Sequence, residues 1–144
     1  MPNDERLILV VDDFEANREL YAYVLSDAGF KVALASDGQQ ALDQAFQLRP
    51  DLIIMDLALP LISGPDAARR LKADEQTRHI PIIVITAYDP PKQVDELGCD
   101  AVLTKPCMPA DMLAAINSAL DASERTKHGE PPASVRQRNA SGSP

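Results

Sequence analysis

Three carboxylates stand directly after two short apolar runs of the sequence. Asp12 and Asp13 follow the run Leu7–Val11, and Asp56 follows the run Leu52–Met55. Clustered carboxylates repel one another and hold protons unless a cation neutralises them. Mg²⁺ fits such a cluster best, because it is usually held by one or two carboxylates and a phosphate while it keeps several waters. The residue types therefore predict a magnesium site, provided that the two runs end side by side.

Two further polar residues supply groups that suit a phosphate. Thr86 ends the apolar run Ile82–Ile85, and Lys105 stands shortly after the run Ala101–Leu103. A lysine offers a point charge and a threonine offers a hydroxyl donor to a phosphoryl group. Since phosphoryl transfer depends mostly on positioning and charge neutralisation, the five residues together indicate that reaction.

The elements that must position these residues are five strands and the helices between them. The four runs named above and Lys31–Ala35 are short and rich in β-branched residues, as strands are. The segments between them have helical spacing, marked by these apolar residues: Leu20, Val24 and Ala28; Ala41, Leu42, Ala45 and Phe46; Ala67, Ala68 and Leu71; Met112, Leu113, Ile116 and Leu120. This alternation predicts an α/β fold with a parallel sheet covered by helices on both faces. Ligands of such sheets bind beyond the carboxyl ends of the strands, which is where the polar residues fall.

The chain resembles the receiver domain of two-component response regulators, over roughly residues 6–121. Four motifs carry the resemblance, one at the end of each of strands one, three, four and five: Val10-Val11-Asp12-Asp13; Ile54-Met55-Asp56-Leu57-Ala58-Leu59-Pro60 with Gly64; Ile85-Thr86-Ala87; Thr104-Lys105-Pro106. Each motif is weak by itself, whereas all four in order are a strong joint signal. The resemblance implies a doubly wound, flavodoxin-like sheet with the strand order 2-1-3-4-5.

The resemblance also implies a role for each site residue. Asp56 is similar to the phosphoacceptor, which attacks a phosphohistidine to form an aspartyl phosphate. Direct Mg²⁺ ligands would be Asp13, Asp56 and the backbone carbonyl of Ala58, while Asp12 would hold the metal through water. Thr86 is similar to the switch hydroxyl that moves to the phosphoryl group. Lys105 would pair with that group, and its bond to Pro106 is a candidate cis peptide.

Two features depart from the family pattern. Val102 stands three residues before the lysine, where the family commonly carries an aromatic that rotates inward as the threonine moves. The segment from Thr86 to Gly98 is about three residues shorter than usual, close to one helical turn. At most about two helical turns fit after its prolines Pro90 and Pro91. We therefore expect signalling through a reshaped segment there, or through the face of the first helix.

Composition narrows the classes of function and partner. The 144 residues carry 14 basic and 22 acidic side chains and no tryptophan, which argues against direct contact with nucleic acid. No apolar run reaches the roughly 20 residues of a membrane span, and two cysteines without zinc spacing make a reducing cytoplasm the expected compartment.

The final residues 122–144 are poor in large aliphatic side chains, so we expect a receiver domain over 1–121 and a disordered tail or linker stub over 122–144. We expect a monomer or weak homodimer.

Three hypotheses about function follow. The leading one is a receiver that takes a phosphoryl group from a histidine kinase or phosphotransfer protein onto Asp56 and signals through a downstream protein. The second is an interaction domain on the same fold that works without phosphorylation, as Val102 and the short segment after Thr86 suggest. The third is a phosphatase, but the chain lacks a cap domain or a second acid poised as general acid. We expect the protein to gain and slowly lose its own phosphoryl group and to turn over no other substrate.

Overall fold

A computed structural model describes residues 6–87 and 98–127 of the chain. This part holds five strands and four helices. In chain order they are β1 (Leu7–Val11), α1 (Glu15–Asp27), β2 (Lys31–Ala35), α2 (Gly38–Leu48), β3 (Leu52–Met55), α3 (Gly64–Ala73), β4 (Ile82–Thr86), β5 (Ala101–Thr104) and α4 (Pro109–Lys127). The predicted strands are all present, and β4 and β5 each run one residue further than expected.

The five strands form one parallel sheet in the order β2-β1-β3-β4-β5, which confirms the predicted fold class. The register aligns the carboxyl ends, since Val11 is paired with Met55 across β1 and β3. On the other side of the sheet, Thr86 is paired with Thr104 across β4 and β5. The residues that follow each strand therefore meet at one edge of the sheet.

Helices cover both faces of the sheet. Since successive strand residues point to opposite sides, each strand contributes side chains to both layers. Leu9, Ile53 and Val84 pack with α2 and α3 on one face. Ile8, Ile54 and Ile85 pack with α1 and α4 on the other face. The unbroken apolar runs of the central strands are thus explained by helices on both sides.

The buried face of α1 differs from the predicted one. The spacing of Leu20, Val24 and Ala28 suggested a core stripe, but Leu20 is 54% exposed. The core contacts come from Tyr21 and Leu25, which are 5% and 0% exposed. Because residues 20–25 are almost all apolar, helical periodicity alone could not choose between these two neighbouring faces.

Specific residues define the ends of three helices, and the last of them corrects an expected boundary. Arg49 and Gly29 end helices in the left-handed region, with φ of 51° and 97°. Helix α4 continues past Asp121, so residues 122–127, assigned to the tail from composition, belong to the helix. A contact that composition does not reveal holds this turn, since Arg6 donates to Glu124 at 2.8 Å.

Two expectations concern residues outside the described part. The short helical segment between Thr86 and Gly98 falls mostly on residues 88–97, and most of the expected tail falls on residues 128–144. Among the described helices, none combines the length and the apolar character that crossing a membrane requires.

Candidate functional site

The strand ends bring the three predicted carboxylates together. Backbone hydrogen bonds extend the ladder beyond the strands, since Asp56 donates to Val11 at 2.9 Å and Asp12 donates to Ala35 at 3.1 Å. One carboxylate oxygen from each of Asp12, Asp13 and Asp56 lies within 4.8 Å of the others. Asp12 and Asp56 are buried, at 2% and 8% exposure, while Asp13 is exposed.

Lys105 bridges the two buried carboxylates. Its Nζ lies 3.0 Å from Oδ2 of Asp12 and 3.0 Å from Oδ2 of Asp56. Lys105 follows β5, two strands away from β3, which is roughly 10 Å at the usual strand spacing. A long side chain is therefore needed to reach Asp56. The backbone at Lys105 is held by its N–H, which donates to Thr86 at 2.8 Å, and the bond to Pro106 is cis as expected.

The charges in this pocket do not balance. Three carboxylates face the Lys105 ammonium and the Arg18 guanidinium that donates to the Asp12 carbonyl, which leaves an excess of negative charge. Burial lowers the pKa of the Lys105 ammonium, but its hydrogen bonds to Asp56 and Asp12 outweigh burial and hold that pKa above its ordinary value. Lys105 therefore stays charged at neutral pH, and the pocket keeps the surplus negative charge that a dication would neutralise.

Two further titratable groups lie near the pocket. Burial raises the pKa of the Tyr21 phenol, and the positive charge of Lys105 partly opposes that shift. Burial also raises the pKa of the Cys107 thiol, with a smaller contribution from the Asp111 carboxylate. Both groups are therefore uncharged at neutral pH, and neither changes the charge of the pocket.

The oxygen set fits a small hard cation. Ligand oxygens on opposite sides of Mg²⁺ lie about 4.2 Å apart, given bonds of 2.0–2.1 Å. The three carboxylate oxygens are gathered to within 4.8 Å of one another, which is close to that distance. Carboxylates without histidine or cysteine are the donor set of Mg²⁺ rather than of zinc.

The remaining predicted residues lie around the same edge. Thr86 ends β4 beside β3 and is 5% exposed. The backbone N–H of Ala58 donates to Oδ1 of Asp56 at 3.1 Å, so the turn after β3 holds that carboxylate in place.

Val102 lies on β5, where it is partly buried and packs against the cluster under α2 and α3.

Residues of α1 that no local pattern had indicated also hold Asp12. The side chain of Asn17 donates to Oδ2 of Asp12 at 3.3 Å, and Arg18 donates to its backbone carbonyl at 2.7 Å. The backbone N–H of Phe14, the residue before α1, donates to Oδ1 of Asp12 at 2.9 Å, so Asp12 also fixes the turn that leads into the helix. An amide in the first turn after a strand-ending acid is the signal that could have identified Asn17.

Gly64 allows α3 to begin against the backbone that follows β3. Its N–H donates to the Leu57 carbonyl at 3.0 Å. A Cβ at this position would lie 2.5 Å from the Asp56 carbonyl oxygen and 2.6 Å from the Leu57 Cα. Both atoms belong to the backbone, so they cannot turn away as a flexible side chain could.

Substitution Gly64→Ala is therefore expected to destabilise the protein by about 1–3 kcal/mol, the usual cost of overpacking. The sign is diagnostic, because Gly→Ala inside a helix normally stabilises by roughly 0.5–1 kcal/mol. Urea unfolding followed by circular dichroism measures the change. A more stable Gly64→Ala variant would show that α3 does not approach this backbone as closely as described.

Comparison with known proteins identifies the class. The family model for the response regulator receiver domain matches residues 8–117, and the chain belongs to that family. It is 34% identical to the polar-differentiation response regulator DivK of Brucella anthropi over 116 residues, which cover 78% of this chain and 94% of the relative.

Solved structures agree with this assignment. The chemotaxis response regulator CheY4 of Vibrio cholerae matches with a TM-score of 0.74 and 30% identity, covering 80% of this chain and 98% of that one. The receiver domain of a sensor histidine kinase from Pseudomonas aeruginosa matches with a TM-score of 0.76 and 31% identity, covering 81% and 98%. That structure has a magnesium ion coordinated in its active site cleft. The acidic pocket described above thus belongs to a receiver domain of two-component signalling.

Proposed function

We propose that this receiver accepts a phosphoryl group on Asp56 and passes the signal on through protein contacts. The donor would be a phosphohistidine of a histidine kinase or of a histidine phosphotransfer protein. The observation that carries the proposal is the bridge from Lys105 to Asp12 and Asp56, at 3.0 Å to each, inside a pocket with surplus negative charge. A carboxylate held next to an ammonium and a cation site is equipped to receive a phosphoryl group.

The transfer would proceed at the Asp56 carboxylate. One of its oxygens forms a bond to phosphorus while the bond from phosphorus to the histidine nitrogen breaks. The electron pair remains on that nitrogen, which then takes up a proton. Lys105 pairs with the phosphoryl oxygens, and the Thr86 hydroxyl donates to one of them. Slow hydrolysis by water then releases inorganic phosphate and restores the carboxylate.

Mg²⁺ is the proposed cofactor. Asp13, Asp56 and the carbonyl of Ala58 would bind it directly, and Asp12 would hold it through water. When bound, it neutralises the charge of the carboxylates and of the incoming phosphoryl group. The gathered oxygens of Asp12, Asp13 and Asp56 support this assignment.

The first test is phosphorylation of the unaltered chain by acetyl phosphate. We expect the intact mass to rise by one phosphoryl group in the presence of Mg²⁺. We expect no rise once a chelator such as EDTA is in excess. If the wild-type chain gains no phosphoryl group even in the presence of Mg²⁺, the proposal is refuted.

A second candidate function is partner binding that does not depend on phosphorylation. Val102 favours it, because a partly buried valine has no ring that could swing inward upon activation. Under this alternative, an Asp56→Ala variant would bind its downstream partner and signal as the wild type does. Strict loss of signalling in that variant would favour the phosphorylation-dependent function.

A further inference from the structure

Among the described residues, more donors hold the Asp12 carboxylate than hold either of the other two carboxylates of the pocket. Its Oδ1 accepts from the Phe14 N–H at 2.9 Å. Its Oδ2 accepts from Lys105 at 3.0 Å and from the Asn17 amide at 3.3 Å. Asp12 is 2% exposed, so water can hardly reach its carboxylate to replace a hydrogen-bond donor that is removed.

The two donors to Oδ2 differ in what they can do during the reaction. Lys105 also binds Asp56, where the proposed reaction places a phosphoryl group. In that reaction, pairing with the phosphoryl group would draw the ammonium towards Asp56 and weaken its contact with Asp12. Among the described residues, the Asn17 side-chain amide donates to Asp12 alone, and its backbone is anchored in the first turn of α1 because the N–H donates to the Phe14 carbonyl at 3.1 Å.

The charges of the two donors differ as well. An ammonium neutralises the carboxylate that it orients and competes with a cation for it. The neutral amide of Asn17 orients Asp12 and leaves its charge available to a dication. Asn17 thus has the chemistry of a residue that keeps a metal-binding carboxylate in place.

We infer that Asn17 is a positioning residue, which keeps the Asp12 carboxylate in its Mg²⁺-binding orientation when Lys105 is engaged elsewhere. The inference rests on the proposed Mg²⁺-dependent function. Asn17 thereby connects the first turn of α1 to the acidic pocket, because its amide holds the side chain of Asp12. On the other side, Arg18 holds the backbone of the same residue.

Isothermal titration calorimetry of the metal-free chain with MgCl₂ tests the inference. We expect Asn17→Ala to bind Mg²⁺ about tenfold more weakly, the lower end of the usual effect of removing such a partner. The thermal midpoint without metal should fall only slightly, because the higher helix propensity of alanine offsets part of the lost hydrogen bond to Asp12. Asn117→Ala, at an exposed position of α4, is the matched control and should bind as the wild type does.

A second variant separates orientation from charge. Asn17→Lys adds an ammonium beside Asp12, so it should bind Mg²⁺ more weakly than Asn17→Ala. Wild-type or tighter affinity in Asn17→Ala would overturn the inference, even if the lysine variant is weak. A wild-type chain that binds no Mg²⁺ would instead refute the proposed function, so the two failures are distinguishable.

Discussion

Replacing Asp56 by asparagine is expected to abolish phosphoryl labelling of the chain, with a loss of more than about a hundredfold in rate, because the reacting group itself is removed. An amide oxygen is a poor nucleophile towards phosphorus, although it can still accept the hydrogen bond from the Ala58 N–H. Radiolabelled acetyl phosphate with Mg²⁺, followed by gel autoradiography, measures the effect.

The fold should survive this substitution. Lys105 retains Asp12 as its ion-pair partner, so its partly buried ammonium is not left alone. Asp121→Asn, at an exposed position of α4, is the matched control and should label as the wild type does. Full labelling of the Asp56→Asn variant would assign the phosphoryl group to another residue.

Replacing Lys105 by methionine is expected to destabilise the metal-free protein by about 3 kcal/mol, because a buried ion pair loses one partner. The substitution leaves the buried carboxylates of Asp12 and Asp56 facing each other without the ammonium that joins them. Urea unfolding at pH 7 in the presence of EDTA measures the free energy of unfolding.

Two further variants establish the cause of that loss. Lys31→Met, on the exposed edge strand β2, should change the stability by no more than about 0.5 kcal/mol. Adding Asp56→Asn to Lys105→Met should restore at least about 1 kcal/mol, since the two residues interact directly. A loss that the second substitution does not reduce would point to packing of the lysine stem instead.

The difference in unfolding free energy between wild type and Lys105→Met depends on pH, in a direction that follows from the pKa of Lys105. Because the folded protein raises the pKa of Lys105, its stabilisation is fully present below the unfolded value of about 10.4. That stabilisation is lost as pH rises through the folded pKa. Above neutral pH, the difference in unfolding free energy between wild type and Lys105→Met should therefore persist until the solution is strongly alkaline.

The strands and the residues that end them could be predicted well from the sequence. A strand covered on both faces must be apolar throughout, so runs such as Leu52–Met55 are unambiguous over a few residues. Parallel strands also place their carboxyl ends together. The position of Asp12, Asp56 and Lys105 at one edge therefore follows from local pattern and topology.

Other features could not be predicted, because they depend on contacts between distant segments. The side of α1 that faces the core was ambiguous within an apolar stretch, and packing selected Tyr21 and Leu25. The length of α4 was underestimated because its contact with Arg6 joins residues 118 positions apart. No local pattern records such a contact.

The sequence by itself determined the fold class, the parallel sheet and the identity of the pocket residues, since these follow from burial patterns and from the chemistry of single side chains. Only the tertiary structure decided how the pocket is held. It showed that Lys105 joins Asp12 and Asp56, and that Asn17 shares the same oxygen of Asp12. The physical reason is that hydrogen bonds depend on distances of about 3 Å, which the fold brings about between strand ends and helix turns.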